Sequence, residues 1–212
     1  MAVDRNGKDF ESFMKFYQVA SRHLDAIQQM ASSRSLEHAG WLVSNKGSDW
    51  VAWTGPIVSG GEYSVNKGTN HEEYLSGNGG RSPNAQYGES LIAGVHTHPS
   101  ENSFSDQDVN TFLGESLFRI NNSQESIVAK FNVVVTQGHV YGMEILDAKK
   151  LNEFVGNDDN KIRDTWTKLF QSAKGSVTER TIAANKGLSK ATGGAIGFYI
   201  VDRSTGAGKE AK

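Results

Sequence analysis

Two histidines and an aspartate lie close together near the middle of the chain. His96 and His98 are separated by one residue, Pro99 follows, and Asp108 comes within the next ten positions. Residues two apart on a strand point to the same face of a sheet, so both imidazoles can converge on one ion. Two imidazoles and one carboxylate leave one position of a tetrahedral zinc ion open, which is typical of catalytic sites. The spacing therefore predicts one zinc ion per chain, bound by His96, His98 and Asp108.

Local structure has to place these three ligands on one ion. The apolar run at 90–96 predicts a buried strand that carries the histidines, and Pro99, which cannot donate to a sheet ladder, should end it. The periodic residues 106–118 predict a helix with Asp108 in its first turn. Taken alone, Ser105 and Asp108 are typical of a helix N-cap with an acidic third residue, and a lone His-x-His pair is more often incidental. Their conjunction within thirteen residues favours metal binding.

The rest of the chain predicts an α+β fold, with a mixed sheet of five or six strands and helices packed on it, because strands and helices do not alternate regularly. Apolar spacing predicts a first helix at 9–32 and helical segments from 148 to 187, broken near Asn157 and Gly175. The predicted strands, besides 90–96, are 35–44 paired with 49–54, 126–136 paired with 139–146, and a last strand at 195–202.

These elements predict a single catalytic domain at 1–203 and a flexible tail at 204–212. The motifs lie within 35–146. The polar, glycine-rich stretch 60–88 is a possible insertion, since loops of that length are usually functional or disordered. The final parts are a helical C-terminal extension at 148–192 and the strand at 195–202.

Composition excludes several classes of protein. The chain has 212 residues, 37% of them hydrophobic, with a net charge of −2 and charges of both signs spread along it. This is no basic footprint for nucleic acid, and no apolar run approaches the roughly 20 residues that span a bilayer. The absence of cysteine excludes disulfides, thiolate metal sites and a cysteine nucleophile. The first fifteen residues lack an apolar stretch like a signal peptide, so we expect a cytoplasmic protein or one exported without a classical signal.

Zinc hydrolysis also needs a base that takes a proton from water and returns it to the leaving amine. Glu37, at the start of the first strand, is a carboxylate that the metal does not use. From spacing alone, a solvated glutamate is the better interpretation of this position.

The motifs resemble those of the JAMM zinc metallopeptidases, also called the MPN+ or JAB family, in their bacterial form. The resemblance covers roughly residues 35–146. It is carried by Glu37 shortly before Gly40-Trp41-Leu42-Val43, then by His96-Thr97-His98-Pro99, and finally by Ser105-Asp106-Gln107-Asp108. It implies a cytidine-deaminase-like JAB/MPN fold, zinc on His96, His98 and Asp108, Glu37 as general base and then general acid, and Ser105 as the residue that holds the scissile carbonyl oxygen.

Alternatives remain for two of these positions. The loop between Pro99 and Ser105 is one residue shorter than the commonest family form, which leaves Asp106 as an alternative ligand. The alternatives to Glu37 are the three glutamates of the glycine-rich stretch: Glu62, Glu72 and Glu73.

The resemblance implies a peptidase or isopeptidase that acts on a protein or peptide, such as a ubiquitin-like protein or its conjugates. A JAB-like toxin or effector domain of a bacterial secretion system is an alternative, as is a non-catalytic MPN-type scaffold. The scaffold is disfavoured because the ligand set is complete. A phosphoesterase of the polymerase-and-histidinol-phosphatase type needs several later histidines, and only His139 follows.

The other histidines and the tryptophans of the first hairpin have no ligand-like spacing. We expect Thr97 to point outward and matter less, and His38 to face away from Glu37. Solvation or packing is expected for the remaining residues of this kind: His23, His71, His139, Trp41, Trp50 and Trp53.

Overall fold

The computed structural model describes residues 5–45, 50–61, 89–124 and 128–211. Within these ranges it contains five α-helices and eight β-strands. The helices are α1 (Arg5–Arg34), α2 (Asp106–Asn121), α3 (Ala148–Val155), α4 (Lys161–Ser172) and α5 (Val177–Ala191). The strands are β1 (His38–Asn45), β2 (Ala52–Trp53), β3 (Val58–Ser59), β4 (Glu89–Thr97), β5 (Phe131–Val135), β6 (His139–Ile145), β7 (Ile196–Asp202) and β8 (Gly208–Glu210).

All eight strands form one mixed sheet in the order β2-β1-β4-β5-β6-β7-β8, and β3 also pairs with β1. β4 and β5 are parallel and joined through α2, whereas the other pairs are antiparallel. The α+β prediction is confirmed. The sheet has more strands than expected because β3 and β8, which are only two and three residues long, are too short to produce a periodic pattern. The strand predicted at 49–54 is present but short, as β2.

α1 covers one face of the sheet. Its apolar residues recur at three- and four-residue steps and pack on the side chains of β4, β5 and β7, with Phe13 stacked on Tyr199 at 4.9 Å between ring centroids. The helix approaches β6 so closely that a Cβ atom on Gly142 would overlap the Phe13 ring. Among the described helices, none is both long enough and apolar enough to cross a bilayer.

The four other helices cover the opposite face. Alternate residues of β5, β6 and β7 point to this side, where Val134, Tyr141 and Phe198 contact the helices. The central residues of α2, α4 and α5 complete this core: Val109, Leu113, Leu117, Ile162, Trp166, Ala184 and Leu188. The sheet is thus enclosed between α1 and a layer of four helices, and the predicted C-terminal extension is part of that layer.

The prediction of a flexible tail at 204–212 is wrong for most of its length. Asp202 accepts hydrogen bonds from the backbone of Ser204 and Thr205, and Gly206 turns the chain with φ +68°. β8 then pairs with β7, and Ala211 is buried in the core of the helix layer. Small polar residues in this segment form a turn and an edge strand rather than a frayed end.

Three predicted segments lie wholly or partly outside the described residues. These are residues 46–49, which include most of the predicted turn at 45–47 and the first residue of the predicted strand 49–54, most of the possible insertion at 60–88, and residues 126–127 at the start of the predicted strand 126–136. β1 and β2 are paired as expected, and β5 begins at Phe131, later than predicted.

Candidate metal centre

The ends of two consecutive elements place the predicted ligands. β4 ends at Thr97, so His96 lies on the strand, and His98 extends its pairing by donating its backbone N–H to the carbonyl of Val135 at 3.1 Å. α2 begins seven residues beyond Pro99, with Ser105 as its N-cap and Asp108 as the third helical residue. The end of β4 lies close to the first turn of α2. The histidines and the carboxylate therefore meet on the face of the sheet that α2 to α5 cover.

The three side chains converge. Nε2 of His96 lies 3.1 Å from Oδ1 of Asp108, and Nε2 of His98 lies 3.5 Å from Oδ2 of the same carboxylate. The ligand atoms of all three residues lie within 4.8 Å of one another. His96 and His98 are only 3% and 9% exposed, and the Asp108 side chain is 20% exposed. This group could hold a metal ion.

Hydrogen bonds fix the orientation of two of these ligands. Nδ1 of His98 lies 2.9 Å from the carbonyl oxygen of Asn102, and since a carbonyl can only accept, Nδ1 carries the hydrogen. That leaves Nε2 as the atom that can bind metal, an arrangement usual for ligating histidines. On Asp108, Oδ2 accepts hydrogen bonds from the backbone N–H and the hydroxyl of Ser105, both at 2.8 Å.

The electrostatics of the group favour opposite charges on its members. Burial raises the pKa of Asp108, but the charges and hydrogen bonds of His96 and His98 more than reverse this and hold it well below its ordinary value. Burial lowers the pKa of His98, yet the hydrogen bond and charge of Asp108, the Asn102 carbonyl and the charge of Glu37 together raise it. In the absence of metal, these effects favour an ionised Asp108 beside a protonated His98.

Glu37 lies beside this group. It immediately precedes β1, is only 8% exposed, and exchanges backbone hydrogen bonds with Gly60 and Gly61. Its charge acts on His98. The interpretation of Glu37 as a solvated glutamate at a strand start is therefore wrong. The alternatives Glu62, Glu72 and Glu73 lie outside the described residues.

Ser105 forms a capping box with Asp108. The backbone N–H of Asp108 donates to the Ser105 hydroxyl oxygen at 3.2 Å, and the hydroxyl donates to the carboxylate. Because Asp108 is ionised and can only accept, the single hydroxyl proton is committed to it. Ser105 therefore keeps spare capacity as an acceptor, and it can donate to a carbonyl oxygen only if its hydroxyl turns away from Asp108 and breaks this hydrogen bond.

Asp106, the alternative ligand, lies elsewhere. Its Oδ2 is 3.0 Å from Nε of Arg163 on α4, in a partly exposed ion pair. The shorter loop therefore leaves Asp108 in the ligand position, and Asp106 joins α2 to the C-terminal helices.

Thr97 matters more than the sequence predicted. It is completely buried, and its hydroxyl oxygen accepts the backbone N–H of His38 at 2.9 Å. This bond ties the start of β1, next to Glu37, to the end of β4. Thr97 thus faces away from the metal group, as predicted, but helps to hold Glu37 near it.

His23, His38 and Trp41 pack against neighbouring parts of the fold. His38 is buried with Nδ1 3.0 Å from the Leu36 carbonyl oxygen, and His23 packs edge-on against Trp53. Trp41 packs over Gly94 on β4, whereas Trp50 is 37% exposed. His71 lies outside the described residues.

The loop 99–104, which we call the ligand loop, is held by residues whose role was not predicted from the sequence. His139, predicted to be incidental, lies 3.4 Å from the carboxylate of Glu101 in this loop. On the other side, Thr178, Thr181 and Asn185 contact the loop from α5. Their spacing of three and four residues forms a polar stripe on one face of a helix, which is a signal that the sequence contains.

No protein-family model matches this chain, and a search of curated proteins finds no match to its sequence.

Proposed function

We propose that this protein is a zinc-dependent hydrolase of amide bonds, a peptidase or isopeptidase of the JAMM type with a JAB/MPN fold. The observation that carries the proposal is the convergence of His96, His98 and Asp108 beside the buried Glu37. This set combines three metal ligands with the carboxylate of Glu37, which is not one of the ligands. The motif resemblance supplies the amide bond as the target.

The donor set fits zinc. Two imidazole nitrogens and a carboxylate oxygen are ligands that zinc accepts, and three protein ligands leave a position open. Nδ1 of His98 already donates a hydrogen bond to the Asn102 carbonyl, and Oδ2 of Asp108 already accepts one from the backbone N–H of Ser105. Both ligands are therefore preorganised. A zinc ion bound there supplies Lewis-acid chemistry, which lowers the pKa of water and polarises a carbonyl group.

Glu37 acts as the proton carrier in this proposal. It takes a proton from the water whose oxygen attacks the carbonyl carbon, and it delivers that proton to the amine nitrogen when the C–N bond breaks. Its low exposure suits this role, because a buried carboxylate has few competing water molecules. Glu37 immediately precedes β1 and His98 immediately follows β4, at the same end of this antiparallel pair, and this brings the base close to the ligands.

Ser105 holds the carbonyl oxygen of the substrate. In the structure the Ser105 hydroxyl donates its hydrogen to Oδ2 of Asp108. If Asp108 held a metal ion, its carboxylate would be a weaker acceptor and this hydrogen bond would be weaker. The hydroxyl can then turn its proton toward a carbonyl oxygen, while the backbone N–H of Ser105 continues to hold Asp108.

The substrate that we propose is a protein or peptide, with a ubiquitin-like protein or its conjugates as the first class to test. The decisive comparison is between the wild type, Glu37→Gln and His98→Ala. Zinc content is measured by mass spectrometry, and cleavage is measured on conjugated and linear ubiquitin-like substrates and on a peptide library.

We expect wild type and Glu37→Gln to contain close to one zinc ion per chain and His98→Ala to contain much less. Only the wild type should cleave. Activity in Glu37→Gln would remove Glu37 from the mechanism. A wild type that binds zinc but cleaves no substrate would favour a non-catalytic scaffold, and a wild type that binds no zinc after reconstitution would overturn the proposal.

A further inference from the structure

The ligand loop, residues 99–104, connects the strand end that carries His98 to the helix cap that carries Asp108. Asn102 in this loop supplies the carbonyl that orients His98. Phe104 directly precedes Ser105, whose backbone N–H holds Asp108. A displacement of the loop would therefore move both ligands, and the question is what keeps the loop in place.

Asn185 of α5 is an almost completely buried polar contact of the loop. It is 1% exposed, and its Nδ2 donates to the Phe104 carbonyl at 3.1 Å and to the Ser103 hydroxyl at 3.3 Å. Its Oδ1 accepts the indole N–H of Trp166 on α4 at 2.8 Å. Since an indole can only donate, Trp166 fixes which end of the amide faces the loop.

Two threonines on the same face of α5 extend this contact. The Thr178 hydroxyl donates to Oδ1 of Asn102 at 3.0 Å, and the Ser103 backbone N–H donates to the Thr181 hydroxyl at 3.3 Å. With Asn185 they form a stripe along one side of the helix. Each of the residues 102 to 104 is thus hydrogen-bonded to α5.

The first part of the loop is held from the other side. The carboxylate of Glu101 accepts the Thr136 hydroxyl at 2.7 Å and the backbone N–H of Gly138 at 2.9 Å, while Tyr141 donates to the Glu101 carbonyl at 3.2 Å. The sheet therefore fixes the start of the loop and α5 fixes its end.

We propose that Asn185 is a positioning residue for the metal centre: through the ligand loop it sets the Asn102 carbonyl that orients His98 and the Ser105 cap that orients Asp108. Thr178 supports it at the other end of the stripe. This inference rests on the metal site of the proposed function and is independent of the amide-bond reaction. It gives the C-terminal helices α4 and α5 a role in metal binding, although none of their residues belongs to the ligand group.

The test uses Asn185→Asp in the full chain. The aspartate keeps the shape and the acceptor for Trp166 but replaces both donors to the loop with an oxygen. Zinc affinity is measured by competition with a chelator well below the unfolding temperature of each variant, and the ligand geometry by the visible absorption of the cobalt(II) form. We expect a 10- to 100-fold weaker zinc affinity, the range typical of residues that orient metal ligands, together with a changed cobalt spectrum.

Leu24→Ala is the matched control. Leu24 belongs to α1 and is buried between this helix and the opposite face of the sheet, so its truncation lowers stability without touching the loop. It should leave zinc affinity and the cobalt spectrum unchanged. If Leu24→Ala weakens zinc binding as much as Asn185→Asp does, the effect of Asn185 is only structural and the proposal is overturned.

A second variant and a metal-free measurement complete the test. Thr178→Val removes one hydroxyl near the start of α5, where folding is least affected, and should weaken zinc affinity several-fold. In the metal-free protein, the Nδ1 proton of His98 should exchange slowly with solvent in the wild type and faster in both variants, as seen by nitrogen-15 NMR. If both variants have the zinc affinity, the cobalt(II) spectrum and the His98 proton exchange of the wild type, the proposed role of Asn185 is overturned. A wild type that binds zinc without hydrolysing any substrate would instead refute only the proposed reaction.

Discussion

Tyr199 donates its hydroxyl hydrogen to Oε1 of Glu144 at 2.5 Å, and both side chains are buried. Burial raises the pKa of Glu144 to about 7, although the bond from Tyr199 and the charge of Lys130 act in the opposite direction. The carboxyl group of Glu144 is therefore protonated in the folded protein at pH values where an exposed glutamate is ionised.

This relationship predicts how stability changes with pH. Below pH 4.5, Glu144 is protonated in both the folded and the unfolded chain. Between pH 4.5 and about 7 the unfolded chain loses this proton and the folded protein keeps it, so the free energy of unfolding falls as pH rises, by roughly 3 kcal/mol in all. Above pH 7 this contribution is constant.

Glu144→Gln should remove that part of the pH dependence, because a glutamine does not ionise and its amide oxygen still accepts from Tyr199. Urea unfolding at several pH values between 4 and 8.5 measures the difference between the variant and the wild type. Glu153→Gln, on an exposed position of α3, is the control and should follow the wild type. Parallel curves for Glu144→Gln and the wild type would show that Glu144 ionises normally.

The two aspartates of α2 should respond differently to zinc. At a free zinc concentration about 100 times the dissociation constant, binding stabilises the folded protein by about 2.7 kcal/mol. For a chain of this size that raises the unfolding temperature by roughly 5–10 °C. Asp108→Ala removes a ligand and should abolish most of this rise, whereas Asp106→Ala, which loses only the partly exposed pair with Arg163, should keep it. Calorimetry with and without zinc measures both, and a lost rise in Asp106→Ala would identify Asp106 as the ligand.

Gly94 should resist replacement. It lies on β4, on the same face as His96, and a Cβ atom there would be 2.8 Å from the Trp41 ring. Gly94→Ala therefore forces Trp41 or the strand to move, and we expect a loss of about 1–3 kcal/mol in the free energy of unfolding. Gly114→Ala on α2, where a new Cβ meets no atom within 4 Å, should instead stabilise by up to about 1 kcal/mol. Equal effects in chemical denaturation would contradict the close packing of Trp41 on β4.

Ala211 tests the C-terminal strand. It is 3% exposed and belongs to the core of the helix layer. Ala211→Asp places a charge in that core and should lower the free energy of unfolding by at least about 2 kcal/mol. Lys209→Glu changes charge on the exposed side of the same strand and should cost less than about 0.5 kcal/mol. A tolerant Ala211→Asp would restore the interpretation of this segment as a flexible tail.

The long elements of this fold follow from the sequence because each has a clear apolar pattern. α1 and α2 repeat their apolar residues at helical spacing, β4 and β7 are apolar runs of about seven residues, and the predicted positions agree with the structure to within a few residues. β3 and β8 carry too few residues for any pattern, and tertiary pairing alone makes them strands. The prediction of the tail failed for this reason.

The residues of the candidate site also fall into two groups: those that the sequence predicts and those that it does not. His96, His98 and Asp108 could be found because a strand, a proline and a helix cap fix their directions within one short stretch. Asn102 and Asn185 could not, since each contributes through a long-range hydrogen bond whose partner the sequence does not identify. The Thr178-Thr181-Asn185 stripe marks a polar helix face but does not say what that face contacts.

The origin of all three ligands in one thirteen-residue stretch has a consequence for folding. A short loop closes at a small entropic cost, so β4 and the start of α2 can bring His96, His98 and Asp108 together before distant parts of the chain arrive. Glu37 and Asn185 join the site only when β1 and α5 dock on it. We therefore expect weak zinc binding to begin before α5 docks, and full zinc affinity and the proposed hydrolytic activity to appear only once Asn185 and Glu37 are in place.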